Sequence, residues 1–269
     1  MFVTRIILRK SLSRRCTSAA RFLNTAHNTN ADEKRNSDGE EQTLFTNAAL
    51  SYDKLNDFAF LGMHRIWRRI FIDRLSPTNN TKLIDMAGGT GAITIRFLEY
   101  VKNHNLKNCH VTVCDINKQM LDICKTKATN YDPSLITLVT ADGENAPFEN
   151  NSFNAYTVCY GLRCCPNREK MLKEAYRILQ PGGKFLCLET SNANSKLAQR
   201  FYDMYGSYVL PVMGRMLGQQ PIFDYLVEST KEFPDKETIK TMIEEAGFQQ
   251  VTYESLGFGV MAIHSGIKA

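Results

Sequence analysis

Between residues 82 and 189, short apolar runs alternate with segments of helical periodicity, and that alternation limits the fold more than any other feature of the chain. Lys82–Met86, His110–Cys114, Leu135–Thr140, Phe153–Cys159 and Lys184–Glu189 read as strands. Gly91–Asn103, Lys118–Thr129 and Arg168–Leu179 read as helices, the last stopped by Pro181-Gly182-Gly183. Repeated strand–helix units predict a doubly wound α/β sheet, parallel for most of its strands. Such a sheet places its ligands beyond the carboxyl ends of the strands, near the switch in strand order. A helix over Asp235–Ala246, ended by Gly247, precedes two closing strands at 250–256 and 258–266, which makes seven strands in all.

Flanking segments have other characters. Leu55, Phe58, Ile66, Trp67, Ile70, Phe71 and Leu75 recur at three- and four-residue intervals, so Tyr52–Leu75 reads as one or two amphipathic helices. Residues 195–230 carry Phe201, Tyr202, Met204, Tyr205, Tyr208, Met213, Met216, Phe223 and Tyr225, and read as a helical insertion packed over the strand ends. Residues 28–43 are polar without apolar period, and 32–44 read as a disordered linker before a domain spanning 45–269.

Charge separates the ends from the body. The net formal charge is +5, yet Arg5, Arg9, Lys10, Arg14, Arg15 and Arg21 supply an excess that no acid offsets before residue 32. Without those six, 27 basic side chains face 28 acidic ones, so the body offers no general electrostatic footprint for nucleic acid. The Arg-, Ser- and Thr-rich stretch 1–31 has the composition of a mitochondrial transit peptide, the plainer reading being a disordered basic tail. No later stretch reaches about 18 apolar residues, so no membrane span is expected. The 8 cysteines show no paired C-x-x-C spacing and read as buried free thiols, which suits a reducing interior; no metal site is expected.

The chemistry begins at DMAGGTG, Asp85 to Gly91, directly after the first strand. Glycines there let the backbone turn sharply and approach a ligand without a Cβ in the way. A dinucleotide fingerprint wants G-x-G-x-x-G, but Gly89 and Gly91 are followed by Thr94 at the third place. A P-loop wants Gly-Lys-Ser/Thr, but Gly91 is followed by Ala92. Asp115 ends the second strand, where a carboxylate can accept hydrogen bonds from both ribose hydroxyls. Asp142 ends the third, where it can take a hydrogen bond from an exocyclic adenine amine while Gly143 presents its amide. Either acid alone is an ordinary loop residue or helix cap. Together, at successive strand ends, they describe a nucleoside site without a phosphate cradle, which suits S-adenosyl-L-methionine.

DMAGGTG, CDIN, ADGENAPF and RILQPGGKFLCLE resemble the motif series of the class I S-adenosylmethionine-dependent methyltransferases, a Rossmann-like fold. More narrowly, roughly residues 45–268 resemble the ubiquinone/menaquinone biosynthesis C-methyltransferase (UbiE-like) family. Tyr52-Asp53-Lys54-Leu55-Asn56 with His64 and Trp67 is similar to its Y-D-x-M-N…H-x-x-W signature, and Arg177 to Gly183 with Glu189-Thr190-Ser191 to R-V-L-K-P-G-G…E-x-S. The resemblance implies that Gly88, Gly89, Thr90, Gly91, Asp115, Asp142, Gly143 and Cys159 hold the cofactor, Cys159 standing where serine is usual. It implies a polyprenylated quinol as substrate and Arg163 as the residue nearest the chemistry. It also implies other ubiquinone-biosynthesis proteins as partners in a membrane-associated complex, a homodimer, and a peripheral place on the matrix side of the mitochondrial inner membrane.

Departures gather near the expected substrate. YGLRC at 160–164 stands against the family's F-G-L-R-N, so Arg163 is kept and Cys164 replaces asparagine; Phe60 replaces serine. GQQPIFDYL, from Gly218 to Leu226, keeps only its final Tyr-Leu, with Asp224 where an arginine is usual. Three functions therefore stay open at this point: an active quinol C-methyltransferase, a cofactor-binding scaffold without turnover, and a methyltransferase for another small molecule. Arg163 reads as an orienting or oxyanion-stabilising group, since a guanidinium is not an ordinary base. His64, Tyr160 and His264 are the weaker candidates for a proton relay. The aromatic insertion would line a tail channel, meet a membrane, or form core and dimer interface.

Overall fold

The structure, a computed structural model, describes Gly39 and residues 42–269. The basic segment 1–31 and most of the expected linker lie outside the described residues. Residues 42–48 are already helical, so the end of the linker expected at 32–44 is part of a helix.

Seven strands form one sheet in the order β3-β2-β1-β4-β5-β7-β6: β1 Lys82–Met86, β2 His110–Asp115, β3 Ile136–Thr140, β4 Phe153–Cys159, β5 Leu179–Thr190, β6 Gln249–Leu256 and β7 Met261–Ile267. The first five are mutually parallel; β7 runs antiparallel to both β5 and β6. The chain order reverses between β1 and β4, which fixes the crevice between them. The helices are α1 Tyr52–Ala59, α2 Met63–Leu75, α3 Ala92–Asn103, α4 Lys118–Lys127, α5 Arg168–Ile178, α6 Lys196–Met204, α7 Leu210–Met216, α8 Gln220–Glu232 and α9 Lys236–Glu245.

Side chains of a strand alternate between faces, and here the alternation sorts the core into two layers. Leu83, Val111, Val113, Leu186 and Leu188 pack with Trp67, Phe71, Phe97 and Val101 of α2 and α3. Ile84, Met86, Tyr156, Val158 and Phe185 pack on the other face with Leu172 and Ile178 of α5 and Ile239 and Ile243 of α9. Asn117, Asn167, Ser195 and Asp235 cap α4, α5, α6 and α9 by accepting a backbone N–H in the first turn.

The expected end of the helix at 168–179 needs correcting. Helix α5 stops at Ile178, because Leu179 is already extended and pairs with Phe153 of β4. Pro181-Gly182-Gly183 is a bulge inside β5 and not a helix stop. The last strand also starts later than expected, at Met261, because Gly257–Gly259 forms a 3-10 turn with Phe258 at φ 60°.

A third, smaller apolar cluster sits at the carboxyl end of the sheet. Ala48, Leu55 and Ala59 from the first helices pack against Leu210, Ile222 and Phe223 of α7 and α8. The insertion is thus two-sided. Its inner side is core, while Leu197, Phe201, Met204, Tyr208, Val212 and Met216 are exposed on its outer side. No described helix is long and apolar enough to cross a membrane. The seven described cysteines are free thiols, and no metal-binding group of His, Cys, Asp or Glu occurs among the described residues.

Candidate active site

The glycine turn joins β1 to α3, and two neighbours dictate its glycines. A Cβ on Gly88 would lie 2.5 Å from Val113 Cγ1. Gly91, at φ 79°, presses against the Cys124 sulfur and serves as the N-cap of α3 without any side-chain cap. Gly89 donates its N–H to Asp115 Oδ2 at 2.8 Å, so the end of β2 shapes the turn. The Asp115 Oδ1 accepts the Asn117 N–H at 2.8 Å. A carboxylate has about four acceptor positions, so two remain for ligand hydroxyls. Burial raises the Asp115 carboxyl above its ordinary value, and these two backbone N–H groups pull it back.

Asp142 lies two residues past the end of β3 as an exposed carboxylate whose Oδ1 accepts the Glu144 N–H at 2.8 Å. Glu144 in turn accepts the Asn167 N–H at 2.7 Å, tying the loop after β3 to the loop after β4. Gly143 backs onto Met86 and Met171. Since β3, β2, β1 and β4 are successive neighbours, Asp142, Asp115, the glycine turn and Cys159 stand in one line across the strand ends. That line brings together every residue expected of the cofactor site.

Sequence reasoning missed what holds α1 over this line. Thr90 donates its hydroxyl to Asp53 Oδ1 at 2.8 Å, and Lys127 of α4 pairs with Asp53. Asn117 Nδ2 donates to Thr46 at 2.8 Å. The hydroxyl proton of Thr90 is thus committed to α1, and the turn and its cover are built as one unit. Asp85 was also missed. It is fully buried beneath the turn, accepts from Thr94 at 2.7 Å and Thr157 at 3.1 Å, and burial pushes its carboxyl up to about 6.

Beyond β4 the chain opens into a cleft of about 450 Å³, its open mouth included, under α1 and α8. Its lining includes Tyr52, Asn56 and Phe60 in and after α1, Tyr160 and Arg163 after β4, and Tyr225 of α8. Arg163 is buried with its Nη1 3.8 Å from Glu189 Oε2. Glu189 Oε1 accepts the Arg163 backbone N–H at 3.0 Å, and Oε2 that of Thr190 at 3.2 Å. The guanidinium Nε and Nη1 have no hydrogen-bond acceptor among the described residues. Burial works hardest against the arginine's charge, but Glu189 together with the smaller pulls of Cys164, Tyr225 and Tyr52 outweighs it and holds the pKa above its usual value. Glu189 could have been singled out from its place in the E-x-S signature; its pairing with Arg163 could not.

Two departures answer each other here. Phe60, where serine is usual, stacks on Tyr160 at 5.7 Å and 9°. Tyr160 sits at φ 60°, and its hydroxyl has no hydrogen-bond partner among the described residues. Burial drives its pKa well above 10 and raises that of Tyr52 to about 12, so both stay protonated. The thiol of Cys164 donates to the Tyr160 carbonyl at 3.7 Å. Cys159 is also neutral, its thiol pushed by burial to about 12 against the opposing pull of Arg68.

The histidines are not brought to the cleft. His64 is buried on α2 with Nε2 3.5 Å from Asp57, and burial followed by the Arg68 charge lowers its pKa to about 4. His264 shares a 2.8 Å hydrogen bond with the Lys236 carbonyl at the start of α9, on the far side of β5. Of the three relay candidates only Tyr160 lines the cleft, and its raised pKa makes it a donor.

Comparison with known proteins bears on this arrangement. Residues 29–268 match the ubiE/COQ5 methyltransferase family. A Drosophila melanogaster protein named mitochondrial 2-methoxy-6-polyprenyl-1,4-benzoquinol methylase is 47% identical, over 87% of this chain and 82% of its own length. The Bos taurus protein of the same name is 41% identical, over 86% of this chain and 79% of its own. Among solved structures, a SAM-dependent methyltransferase from Aquifex aeolicus superposes with a TM-score of 0.55 at 10% identity, covering 75% of this chain and 89% of that one; it supports the fold alone.

Proposed function

This chain belongs to the ubiE/COQ5 methyltransferase family, and on that premise we propose that it methylates a ring carbon of 2-methoxy-6-polyprenyl-1,4-benzoquinol in mitochondrial ubiquinone biosynthesis. It is a methyltransferase whose cofactor is S-adenosylmethionine. We assign Gly88, Gly89, Thr90, Gly91, Asp115, Asp142, Gly143 and Cys159 to the cofactor and Arg163 to the quinol. The loop after β3 would hold the adenine, Asp115 at the end of β2 the ribose, and the glycine turn with Cys159 the methionine end. The acceptor lies in the cleft beyond them.

What carries the reading is Arg163, a buried guanidinium in the cleft lining whose Nε and Nη1 find no acceptor among the described residues. An oxygen-bearing ligand with partial negative charge satisfies both. When bound, S-adenosylmethionine supplies a methyl group on positively charged sulfur. A quinol held in the cleft would present its ring carbon to that methyl group, a C–CH3 bond replacing the S–CH3 bond with release of the neutral thioether and of one proton from the ring. Arg163 donates to the quinol oxygen, favours its deprotonated form, and so raises electron density on the attacking carbon. Glu189 fixes the guanidinium's place by accepting Arg163's own backbone N–H and by facing Nη1 at 3.8 Å. Tyr52 and Tyr160 are protonated and supply donors, so the released proton passes to water. Helix α1, fastened by Asp53 to Thr90 and Lys127, covers the line between the two reactants and keeps other water out.

The exposed stripe from Leu197 to Met216 supports peripheral contact with the inner membrane, where a polyprenyl tail resides, and leaves the same face open to a homodimer or complex partner. The quinone profile of cells lacking the protein tests the assignment. The unmethylated methoxyquinol accumulates and wild-type protein clears it, but Arg163→Ala does not. Equal rescue by Arg163→Ala, or an unchanged quinone profile, contradicts it.

A further inference from the structure

Arg68 on α2 is a buried cation without a counter-ion among the described residues. It is 7% exposed, and its Nε has no hydrogen-bond acceptor. The guanidinium lies 5.5 Å over the Tyr160 ring, hydrogen-bonds the Cys159 thiol, which carries no charge to balance it, and lies near Tyr52. All three neighbours are neutral at physiological pH, because burial raises the two tyrosines and the thiol alike. Asp57, which lies within electrostatic reach, is held by Arg65 in a two-pronged pair at 2.6 Å. Like charges add to the imbalance: Arg96 of α3 feels Arg68, Arg69 and Arg65 together. Leaving a charge buried and unpaired is strongly unfavourable, so an anion from outside the described residues is the natural partner.

Position identifies the anion. Arg68 touches Cys159, the last residue of β4. Val158 pairs with Met86 of β1, and Gly161 packs so closely on Ala87 that a Cβ there would collide with it. Arg68 therefore stands at the β1–β4 end of the line that runs from Asp142 through Asp115 to the glycine turn. It does not line the quinol cleft, which has its own cation in Arg163. A nucleoside anchored at Asp142 and Asp115 reaches this end with its amino-acid portion. That portion carries one formal anion, the α-carboxylate; sulfonium and ammonium are both positive.

We propose that Arg68 binds the α-carboxylate of the cofactor's methionine end and so positions the sulfonium along the strand ends. The assignment rests on the cofactor reading above. It makes Arg68 a selector for ligands that bear the carboxylate, independent of the identity of the methyl acceptor.

Calorimetric titration of the full chain tests it, with S-adenosylhomocysteine and its decarboxylated analogue, 5′-deoxy-5′-(3-aminopropylthio)adenosine, as paired probes. Wild type binds the carboxylate-bearing ligand at least tenfold more tightly. Arg68→Met removes that preference to within about twofold and leaves affinity for the decarboxylated probe unchanged, as expected when one charge-assisted contact is lost. A preserved preference in Arg68→Met, or equal losses for both probes, overturns the proposal. If Arg68→Met does not fold, Arg68→Lys carries the test: a preference reduced several-fold supports the proposal and an unchanged one overturns it. Failure of wild type to bind either nucleoside refutes the cofactor reading instead.

Discussion

Replacing Glu189 by glutamine isolates the interaction on which the placement of Arg163 depends. The carboxylate is fully buried and does three things at once: it accepts the backbone N–H groups of Arg163 and Thr190 and faces the Arg163 guanidinium at 3.8 Å. Two unit charges at that separation attract by about 4 kcal/mol at an effective dielectric constant near 20. Glutamine removes the attraction, and its amide group must turn N–H against one of the two backbone donors, which costs a further ~1 kcal/mol or more. Relief from burying a carboxylate, whose pKa burial already raises, works the other way. The balance is a loss of about 3 kcal/mol, at the lower edge of what breaking a buried pair costs. For a domain of this size that lowers Tm by roughly 6–12 °C. Urea and thermal denaturation of Glu189→Gln, Arg163→Met and the double variant complete the test. The double variant is destabilised by less than the sum of the singles, because removing both charges leaves neither one orphaned. Additivity within about 0.5 kcal/mol refutes the coupling and with it the account of how Arg163 is held.

Asp85 carries a pH signature. Its folded carboxyl is raised from 3.8 to about 6, so its contribution to stability is present at low pH and is lost as pH rises through about 6. Asp85→Asn is blind to that titration; its stability relative to wild type gains roughly 2–3 kcal/mol between about pH 4 and pH 8, read from urea midpoints at each pH, and a flat difference contradicts the assignment. Gly91→Ala loses about 2 kcal/mol or more, because a positive φ and the Cys124 sulfur both oppose a Cβ. Gly182→Ala, at φ 76° with open space around it, loses only the roughly 1 kcal/mol of backbone strain, so equal denaturation midpoints for the two would remove the steric argument. Asp53→Ala frees both Thr90 and Lys127, costs about 1 kcal/mol at this partly exposed site, and speeds amide exchange in α1; unchanged exchange means that Asp53 does not fasten the cover.

The fold was legible because it rests on local signals. The run Phe153–Cys159 is bounded by turn residues and forms β4 with those ends, and the glycine turn after Lys82–Met86 is where the sequence puts it. The misplaced boundaries have tertiary causes. Leu179 leaves the helix because Phe153, far off in sequence, is available to pair with it, and no local pattern at 179–183 records that. The site divides the same way. Asp115 and the glycines follow from strand ends, but Asp53 meets Thr90 across 37 residues and Lys127 across 74, and Glu189 meets Arg163 across 26. Arg68 hid for another reason: in a helix otherwise rich in arginine, nothing in the sequence marks which one is buried.

The most direct test of the account is methyl transfer itself. The recombinant protein, given methyl-labelled S-adenosylmethionine and a reduced short-tail 2-methoxy-6-prenyl-1,4-benzoquinol, places the label on a ring carbon, and mass spectrometry distinguishes that product from an O-methyl ether. Arg163→Ala still binds the cofactor and transfers no label above background. A wild-type protein that binds the cofactor and leaves the quinol unlabelled, or an Arg163→Ala variant that turns over like wild type, contradicts it.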